Sequence, residues 1–200
     1  MRSYYAKFLL VSVAAASLAG CGINSVPAAE ENAKAKWADV QNTYQRRSDL
    51  VPNLVESVKG AMQQEKDVLV GVTEARAKAT SIQVTAADLS DPAKMAQYQQ
   101  AQAGLGQSLG RLLASVEAYP QIKSNENVLA LQSQLEGTEN RITVARRDYN
   151  EAVRQYNTTI RTFPDIIGAK VVHGAKPMIP FEATTPGAQE APKIDMTPGK

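Results

Sequence analysis

Apolar side chains recur at alternating steps of three and four residues along most of this chain of 200 residues. Such steps keep one stripe of an α-helix apolar, and sustained stripes are typical of helices that pack with a left-handed twist, as in coiled coils. The pattern therefore predicts four helices, the first of them short. The apolar series run from Trp37 to Tyr44, from Val51 to Ala79, from Met95 to Tyr119 and from Val128 to Tyr156.

Three polar residues, Glu65, Arg76 and Gln102, interrupt these series. Each is either a buried contact that fixes the register of the helices or a position near an edge that water reaches. The sequence leaves both interpretations open. Tyrosines occur at the same spacing, and we expect them in the core with their hydroxyls at its rim.

Candidate helix ends coincide with proline and with capping residues. Ser48-Asp49 offers an N-cap, with Pro52 in the first turn that follows, although a single kinked helix through Pro52 is the alternative. Asp91-Pro92 starts a further helix, and Tyr119-Pro120 and Phe163-Pro164 end two others. Because short connections force successive helices to lie antiparallel, we predict an all-α fold, an antiparallel up-and-down four-helix bundle with long helices.

The bundle is expected to cover residues 30–165, and the composition changes after it. Residues 166–200 are rich in Gly, Pro and Ala. Within them, Ile166-Ile167 and Met178–Phe181 are too apolar to be fully solvated, so we expect them to pack over one end of the bundle. The alternative is that a partner docks on them as an extended segment. Residues 183–200 are predicted to be largely disordered.

The first twenty residues have the layout of a secretory signal. Arg2 and Lys7 precede an apolar run from Phe8 to Ala16, and small residues follow it. A membrane-spanning helix needs roughly 20 apolar residues, and this run is shorter. We therefore predict a signal peptide over residues 1–20.

The only cysteine of the chain, Cys21, follows directly. The tetrapeptide Leu18–Cys21 resembles the bacterial lipobox, which predicts cleavage between Gly20 and Cys21, a diacylglycerol on the sulfur with palmitate-type acyl chains, and a short linker over residues 21–29. The alternative is an ordinary cleaved signal with an incidental cysteine. A catalytic thiol needs a device that lowers its pKa, and no histidine lies near it in the sequence.

Charge and residue usage exclude several function classes. Without residues 1–20 the basic and acidic residues are equal in number, so neither a nucleic-acid stripe nor a polybasic membrane patch is indicated. The single histidine, His173, lies outside the predicted helices, which argues against a di-metal or zinc site and leaves no metal or cofactor expected. With one cysteine, no intrachain disulfide can form.

One short motif suggests catalysis and is disfavoured. Gly106-Gln107-Ser108-Leu109-Gly110 matches G-x-S-x-G, but the serine elbow of hydrolases needs a strand, a turn and a nearby histidine, and this run lies inside a helical series. We instead expect Gly104, Gly106 and Gly110 to permit close contact between helices.

Three segments resemble signature segments of the LemA family: RRSDLVPNLVESVKG (Arg46–Gly60), EAYPQIKSNENVLALQSQLEGTENRI (Glu117–Ile142) and ARRDYNEAVRQYNTTIRTFP (Ala145–Pro164). The closing FEATTPGAQEAPKIDM is similar to the end of that family too. The resemblance implies a small antiparallel four-helix bundle tethered to a bacterial membrane at its N-terminus, without an established enzymatic activity. Many relatives have an uncleaved membrane helix in place of the lipobox, so this chain is expected to be a lipoprotein-type member.

The resemblance also marks recurrent polar positions, which we expect to cap and cross-link helices. A ligand-binding role for this polar face is the alternative. The positions are Arg47, Asp49, Asn53, Glu139, Arg146, Asn150 and Asn157.

The leading hypothesis is a non-enzymatic scaffold or interaction module, held at the membrane by its lipid and bound to another envelope protein. It would face the periplasm, and Gly22 after Cys21 favours the outer membrane if the envelope is Gram-negative. The competing hypotheses are a small-ligand or cell-wall binding protein that uses a polar helix face, and an enzyme.

Overall fold

The computed structural model describes the backbone of residues 2–182 and the side chains of residues 24–182. Every regular element in that part of the chain is helical, which confirms the all-α prediction. The side chain of Cys21 and residues 183–200, about which predictions were made, lie outside the described residues. The elements are α1 (Arg2–Lys59), α2 (Lys66–Ser81), a 3₁₀ helix (Ala86–Ser90), α3 (Pro92–Glu117), α4 (Pro120–Lys123), α5 (Glu126–Thr159) and α6 (Asp165–Val171).

Four of these helices, α1, α2, α3 and α5, form an up-and-down bundle. The α1 helix packs along α5, and α2 packs along α3. Side-chain bonds fix the antiparallel directions: Arg47 on α1 pairs with Glu139 on α5, and Ser25 near the start of α1 bonds Asp165 at the start of α6. The α6 helix, which follows α5, therefore lies beside the part of α1 around Ser25.

The apolar series predicted from the sequence form the core. Every residue of the four series is buried or half-buried. The core has two clusters, one around Trp37 and Tyr149 and the other around Leu54 and Leu105. The alternating spacing therefore predicted much of the core, although other buried residues such as Leu54 and Val153 lie beside the series.

The helix boundary predicted at Ser48-Asp49 is wrong, and the alternative of one helix through Pro52 is correct, because α1 continues through Pro52 to Lys59. Proline has no backbone N–H, so Pro52 leaves the carbonyl of Ser48, four residues earlier, without its helical donor. Nε of Arg76 on α2 donates to that carbonyl oxygen at 2.8 Å. The arginine that interrupts the second apolar series thus supplies the bond that the proline removes.

The actual break lies between Lys59 and Lys66, inside the series that runs from Val51 to Ala79. Met62 lies in this turn and is completely buried, and its N–H donates to the carbonyl of Val58. The alternating spacing continues across the turn because Met62 still faces the core. Spacing alone therefore could not locate this break.

The chain after α6 turns back along the bundle. Residues 175–182 run antiparallel to α5, and Met178 and Phe181 are buried in the cluster around Trp37. This segment lies along α5 rather than over the end of the bundle. Of the apolar pair at the start of α6, Ile166 is half-buried and Ile167 is exposed.

The N-terminal segment belongs to α1. Residues 21–29, expected to form a linker, are helical, and Val26 is buried against the core. Among the residues that the structure describes, no helix has both the length and the apolar character needed to cross a membrane.

Candidate functional site: a groove between α3 and α5

An open groove, here called the α3–α5 groove, runs between helices α3 and α5. It consists of two adjoining cavities of about 420 Å³ and about 580 Å³ that share Gly106 and Glu139 in their walls. The first cavity is closed at one end by Phe181 and lies over Arg47. The second continues along the helices between Gly110 and Leu135.

The glycines of α3 do not make the close helix contacts expected from the sequence, and that prediction is wrong. A Cβ added at Gly104 or Gly110 would have no neighbouring atom within 4 Å, and one at Gly106 would lie 3.6 Å from Nη1 of Arg47. Gly106 and Gly110 instead line the groove, where the missing side chains leave space. The G-x-S-x-G run is in the middle of α3, so Ser108 is not on a strand-turn-helix elbow.

The floor of the first cavity is the buried guanidinium of Arg47. Its Nη1 donates to Oε1 of Glu139 at 3.1 Å, and its Nη2 donates to the carbonyl and the side-chain oxygen of Gln102 at 2.9 and 2.7 Å. The guanidinium carbon also lies 4.9 Å from the centre of the Tyr44 ring, within the range of a cation–π contact. Arg47 therefore joins α1 to both walls of the groove.

Gln102 completes this network toward α2. Its Nε2 donates to the carbonyl of Ala79 at 3.3 Å, and the residue is buried. Of the two interpretations left open for this polar interruption, the buried contact is the correct one. The polar groups in this part of the core have helical partners, with the exceptions of Nε of Arg47 and the hydroxyl of Ser48.

At the end of the groove that Phe181 closes, α3 and α5 hold an extended segment of the same chain, residues 178–182. Asn157 and Asn150 of α5 each bind one residue of it through both backbone groups. The Asn157 amide pairs with the N–H and carbonyl of Met178 at 2.9 and 2.8 Å, and the Asn150 amide pairs with those of Phe181 at 2.8 and 2.9 Å. Seven helical residues rise about 10.5 Å, which matches the roughly 10 Å spanned by three extended residues.

The opposite wall binds the same segment from α3. The Gln99 amide donates to the carbonyl of Pro180 at 3.3 Å and accepts from the N–H of Glu182 at 3.2 Å. From the α5 side, the Tyr149 hydroxyl donates to the carbonyl of Ile179 at 3.0 Å. The gap between α3 and α5 is thus filled at one end by residues 178–182 and open as the groove at the other.

Aromatic rings and a second arginine anchor Phe181. Its ring stacks on Trp37 with centroids 5.8 Å apart and meets the edge of Tyr149 at 5.7 Å. Arg146 covers the other side, with its guanidinium 4.9 Å from the ring centre and Nη2 donating to the carbonyl of Glu182 at 2.8 Å. Burial raises the pKa of Tyr149, so its hydroxyl stays protonated and serves as a hydrogen-bond donor.

The remaining residues singled out from the sequence lie away from the groove. Asp49 and Asn53 are exposed on α1, and because the helix does not end there, they do not cap it. Asp49 accepts a bond from Gln45 at 2.7 Å. His173 is exposed just after α6.

The sequence pattern does not predict the roles of Gln99 and Tyr44 in the site. Gln99 lies off the apolar series, and the pattern predicts Tyr44 only as a core aromatic. Five of the polar positions indicated by the family resemblance do belong to the site: Arg47, Glu139, Arg146, Asn150 and Asn157. The structure brings these five together around the groove and the segment beside it.

The fold and the site together define a helical bundle that binds an extended segment of its own chain between two helices. The model of the LemA family matches residues 36–196. This match covers most of the chain, including both walls of the groove, so the chain belongs to the LemA family.

Curated proteins to which this chain is similar include magnetosome proteins. Over 64 residues the chain is 42% identical to magnetosome protein MamQ 2 and to magnetosome protein MamQ 1 of Paramagnetospirillum magneticum. It is 36% identical over 64 residues to magnetosome protein MamQ of Magnetospirillum gryphiswaldense. Each match covers 32% of this chain and 24% of the relative, so the chain spans about a quarter of the length of these relatives.

Proposed function

We propose that this protein is a non-enzymatic interaction module, tethered to a bacterial membrane, whose α3–α5 groove binds an extended segment of another envelope protein. The observation that carries this proposal is the way residues 178–182 are bound. The same two helices already hold an extended chain, mainly through side-chain amides that bond to its backbone. The groove continues that binding surface.

The open part of the groove has the groups that such binding requires. Gln107 offers a side-chain donor and acceptor on one wall of the first cavity, and Thr143, whose hydroxyl donates to the carbonyl of Glu139, offers an acceptor on the other. Leu109, Leu113 and Leu135 make the second cavity more apolar. A partner segment with a free backbone edge and one or two aliphatic side chains fits this combination.

The composition of the groove supports a binding role rather than a catalytic one. In the described part of the chain its lining includes neither histidine nor cysteine. Glu139, the carboxylate that both cavities share, pairs with Arg47. Catalytic sites are typically marked by ionisable groups with perturbed pKa values in a cleft, and the strongly raised tyrosine pKa values in this protein belong to core side chains that touch Trp37.

The membrane tether of this proposal rests on the N-terminal sequence. The signal-like residues 1–20 and Cys21 support a lipid anchor, with the bundle facing the periplasm. A processed lipoprotein carries several acyl chains, and more than one chain is needed for stable anchoring. Cys21→Ala is expected to move the protein from the membrane to the soluble fraction and to abolish labelling by palmitate. Unchanged membrane attachment together with unchanged labelling would contradict the lipid anchor.

The groove is tested by site-specific photo-crosslinking in intact cells. A benzoylphenylalanine replaces Thr143, which lines the first cavity, in the full chain. The matched control replaces Ser133, an exposed residue of the same helix outside the groove. We expect one adduct of defined mass, containing a second envelope protein, from position 143 and none from position 133.

Three results would count against the proposal. They are no adduct from position 143, the same adducts from both positions, or an adduct in which the chain is crosslinked only to itself. The last result would mean that the groove holds this protein's own residues.

A further inference from the structure

A second surface, at the opposite end of the bundle from the second cavity, exposes large apolar side chains. Phe163 is 76% exposed, Ile167 57%, Val171 80% and Val172 59%. Phe163, Ile167 and Val171 follow one another at intervals of four residues, and Ile167 and Val171 lie on one face of α6. We call these four side chains the α6 surface.

This clustering is unlike the rest of the described surface. The other large apolar residues with substantial exposure there are Val70, Leu129 and Val144. Val70 lies on α2, and the other two lie fifteen residues apart on α5. Single exposed apolar residues are normal on a soluble surface, whereas a contiguous apolar patch marks a surface that binds something.

The position of α6 places it next to the N-terminal part of α1. Asp165, at the start of α6, accepts a hydrogen bond from Ser25, so the α6 surface lies beside the part of α1 around Ser25. Cys21 precedes Ser25 by one helical turn, about 6 Å along the axis. The apolar run from Phe8 to Ala16 precedes both in the same chain. With the proposed tether at either of the two, the membrane would be on this side of the bundle.

The charges around the α6 surface suit an anionic bilayer. Arg161, Lys170 and Lys176 are exposed in this stretch. The acidic residue between them, Asp165, is half-buried and bonded to Ser25. Basic residues next to exposed apolar side chains are the combination by which a helix lies in the interface of a membrane that contains anionic lipids.

We propose that the α6 surface inserts into the headgroup region of an anionic bilayer and holds the bundle at a fixed orientation on the membrane. The aliphatic and aromatic side chains enter the boundary between headgroups and acyl chains, and the three basic side chains bind lipid phosphates. This inference rests on the membrane tether of the proposed function and is independent of the groove. It adds a second contact, so that the protein lies against the bilayer instead of swinging on its anchor.

The test places a tryptophan on the α6 surface of the full chain. The native Trp37 is 3% exposed and therefore gives a constant background. The variant is Ile167→Trp, with Val171→Trp as a second reporter, and the matched control is Leu129→Trp, which alters a similarly exposed residue near the start of α5. Each protein is purified with its anchor and reconstituted into vesicles of phosphatidylcholine and phosphatidylglycerol with brominated acyl chains.

We expect bromine to quench the added fluorescence of Ile167→Trp and Val171→Trp about twofold or more, with a blue shift, and to leave Leu129→Trp unquenched. Combining either reporter with Lys170→Gln and Lys176→Gln, or omitting phosphatidylglycerol, should reduce the quenching. Thermal melting checks that the variants fold.

Two results would overturn the inference. If the proteins float with the vesicles but both α6 reporters are quenched no more than Leu129→Trp, the α6 surface does not touch the bilayer and the tether stands. If the proteins do not float, the tether and this inference both fail. In either case, the photo-crosslinking experiment tests the proposed binding of a partner in the groove separately.

Discussion

At the scale of single residues, Asn150 and Asn157 determine where the C-terminal segment lies. Each amide bonds both backbone groups of one residue, Phe181 or Met178, so the segment is held by its backbone and its register is set by the spacing of the two asparagines. The sequence indicated that these positions are important but not what they contact. A side chain that bonds a backbone group 21 or 31 residues away leaves no periodic signal.

Removing one of these amides should destabilise the protein measurably. We expect Asn157→Ala to lower the free energy of unfolding by about 1–3 kcal/mol, since two hydrogen bonds are lost and the backbone groups of Met178 keep only partial access to water. Urea denaturation measures the change. Asn140→Ala, an exposed asparagine on the same helix, is the control and should have little effect. Equal losses in the two variants would show that the hydrogen bonds between Asn157 and Met178 do not stabilise the fold.

At the scale of the elements, α1 shows how a helix continues through a proline. The carbonyl of Ser48 loses its helical donor to Pro52 and receives a bond from Arg76 instead. The sequence predicted a helix end here from sound local rules, because Ser48-Asp49 and Pro52 are a typical helix start. The deciding contact comes from another helix, 28 residues later, and therefore could not be read from local residues.

A double-mutant cycle tests this compensation. Arg76→Met keeps most of the aliphatic stem and removes the donor, so it should cost about 1–2 kcal/mol of unfolding free energy. In a Pro52→Ala background the new N–H bonds the Ser48 carbonyl, and the same change should cost less than about 0.5 kcal/mol. Additive effects, measured by chemical denaturation of all four proteins, would mean that the arginine does not replace the missing donor.

The 3₁₀ helix before α3 has an acid-sensitive cap. Asp88 accepts bonds from Lys94 Nζ at 2.6 Å and from the N–H and hydroxyl of Thr85 at 2.9 and 2.8 Å. Lys94 first, and then Thr85, lower the pKa of Asp88 from 3.8 to about 2. A lowered pKa means that this carboxylate stabilises the folded state above about pH 4 and loses its effect as the pH falls toward 2.

We therefore expect Asp88→Asn to lower the melting temperature at neutral pH and the difference from the unmodified protein to vanish as the pH approaches 2. Melting curves over this pH range provide the measurement. Lys94→Gln should raise the pKa of Asp88 back toward its ordinary value, which carboxyl NMR titration can follow. A melting difference that stays constant down to pH 2 would contradict the assignment.

At the scale of the whole molecule, the α6 surface and the α3–α5 groove lie far apart. The α6 surface lies beside Ser25, and Arg47, under the groove, is 22 residues further along α1, or roughly 33 Å along the axis. The groove therefore opens well away from the end where the anchor is proposed. The spacing of apolar residues predicted the helices and the core. The spacing could not predict the groove. The gap between α3 and α5 depends on the empty space next to the glycines of α3, which the pattern of apolar residues does not record.

Filling the groove tests whether the open half of the gap between α3 and α5 receives a partner. Gly110→Leu places a side chain where the structure has no atom within 4 Å of the added Cβ, and Gly137→Leu makes the same exchange on α5 outside the groove. Both variants carry the photo-crosslinker at position 143, and the yield of the adduct with the second envelope protein is compared in intact cells. We expect Gly110→Leu to lower the yield about tenfold, corresponding to about 1.4 kcal/mol of binding free energy, and Gly137→Leu to leave it unchanged. An undiminished yield in Gly110→Leu, or an equal loss in both variants, would mean that the partner does not bind in the groove.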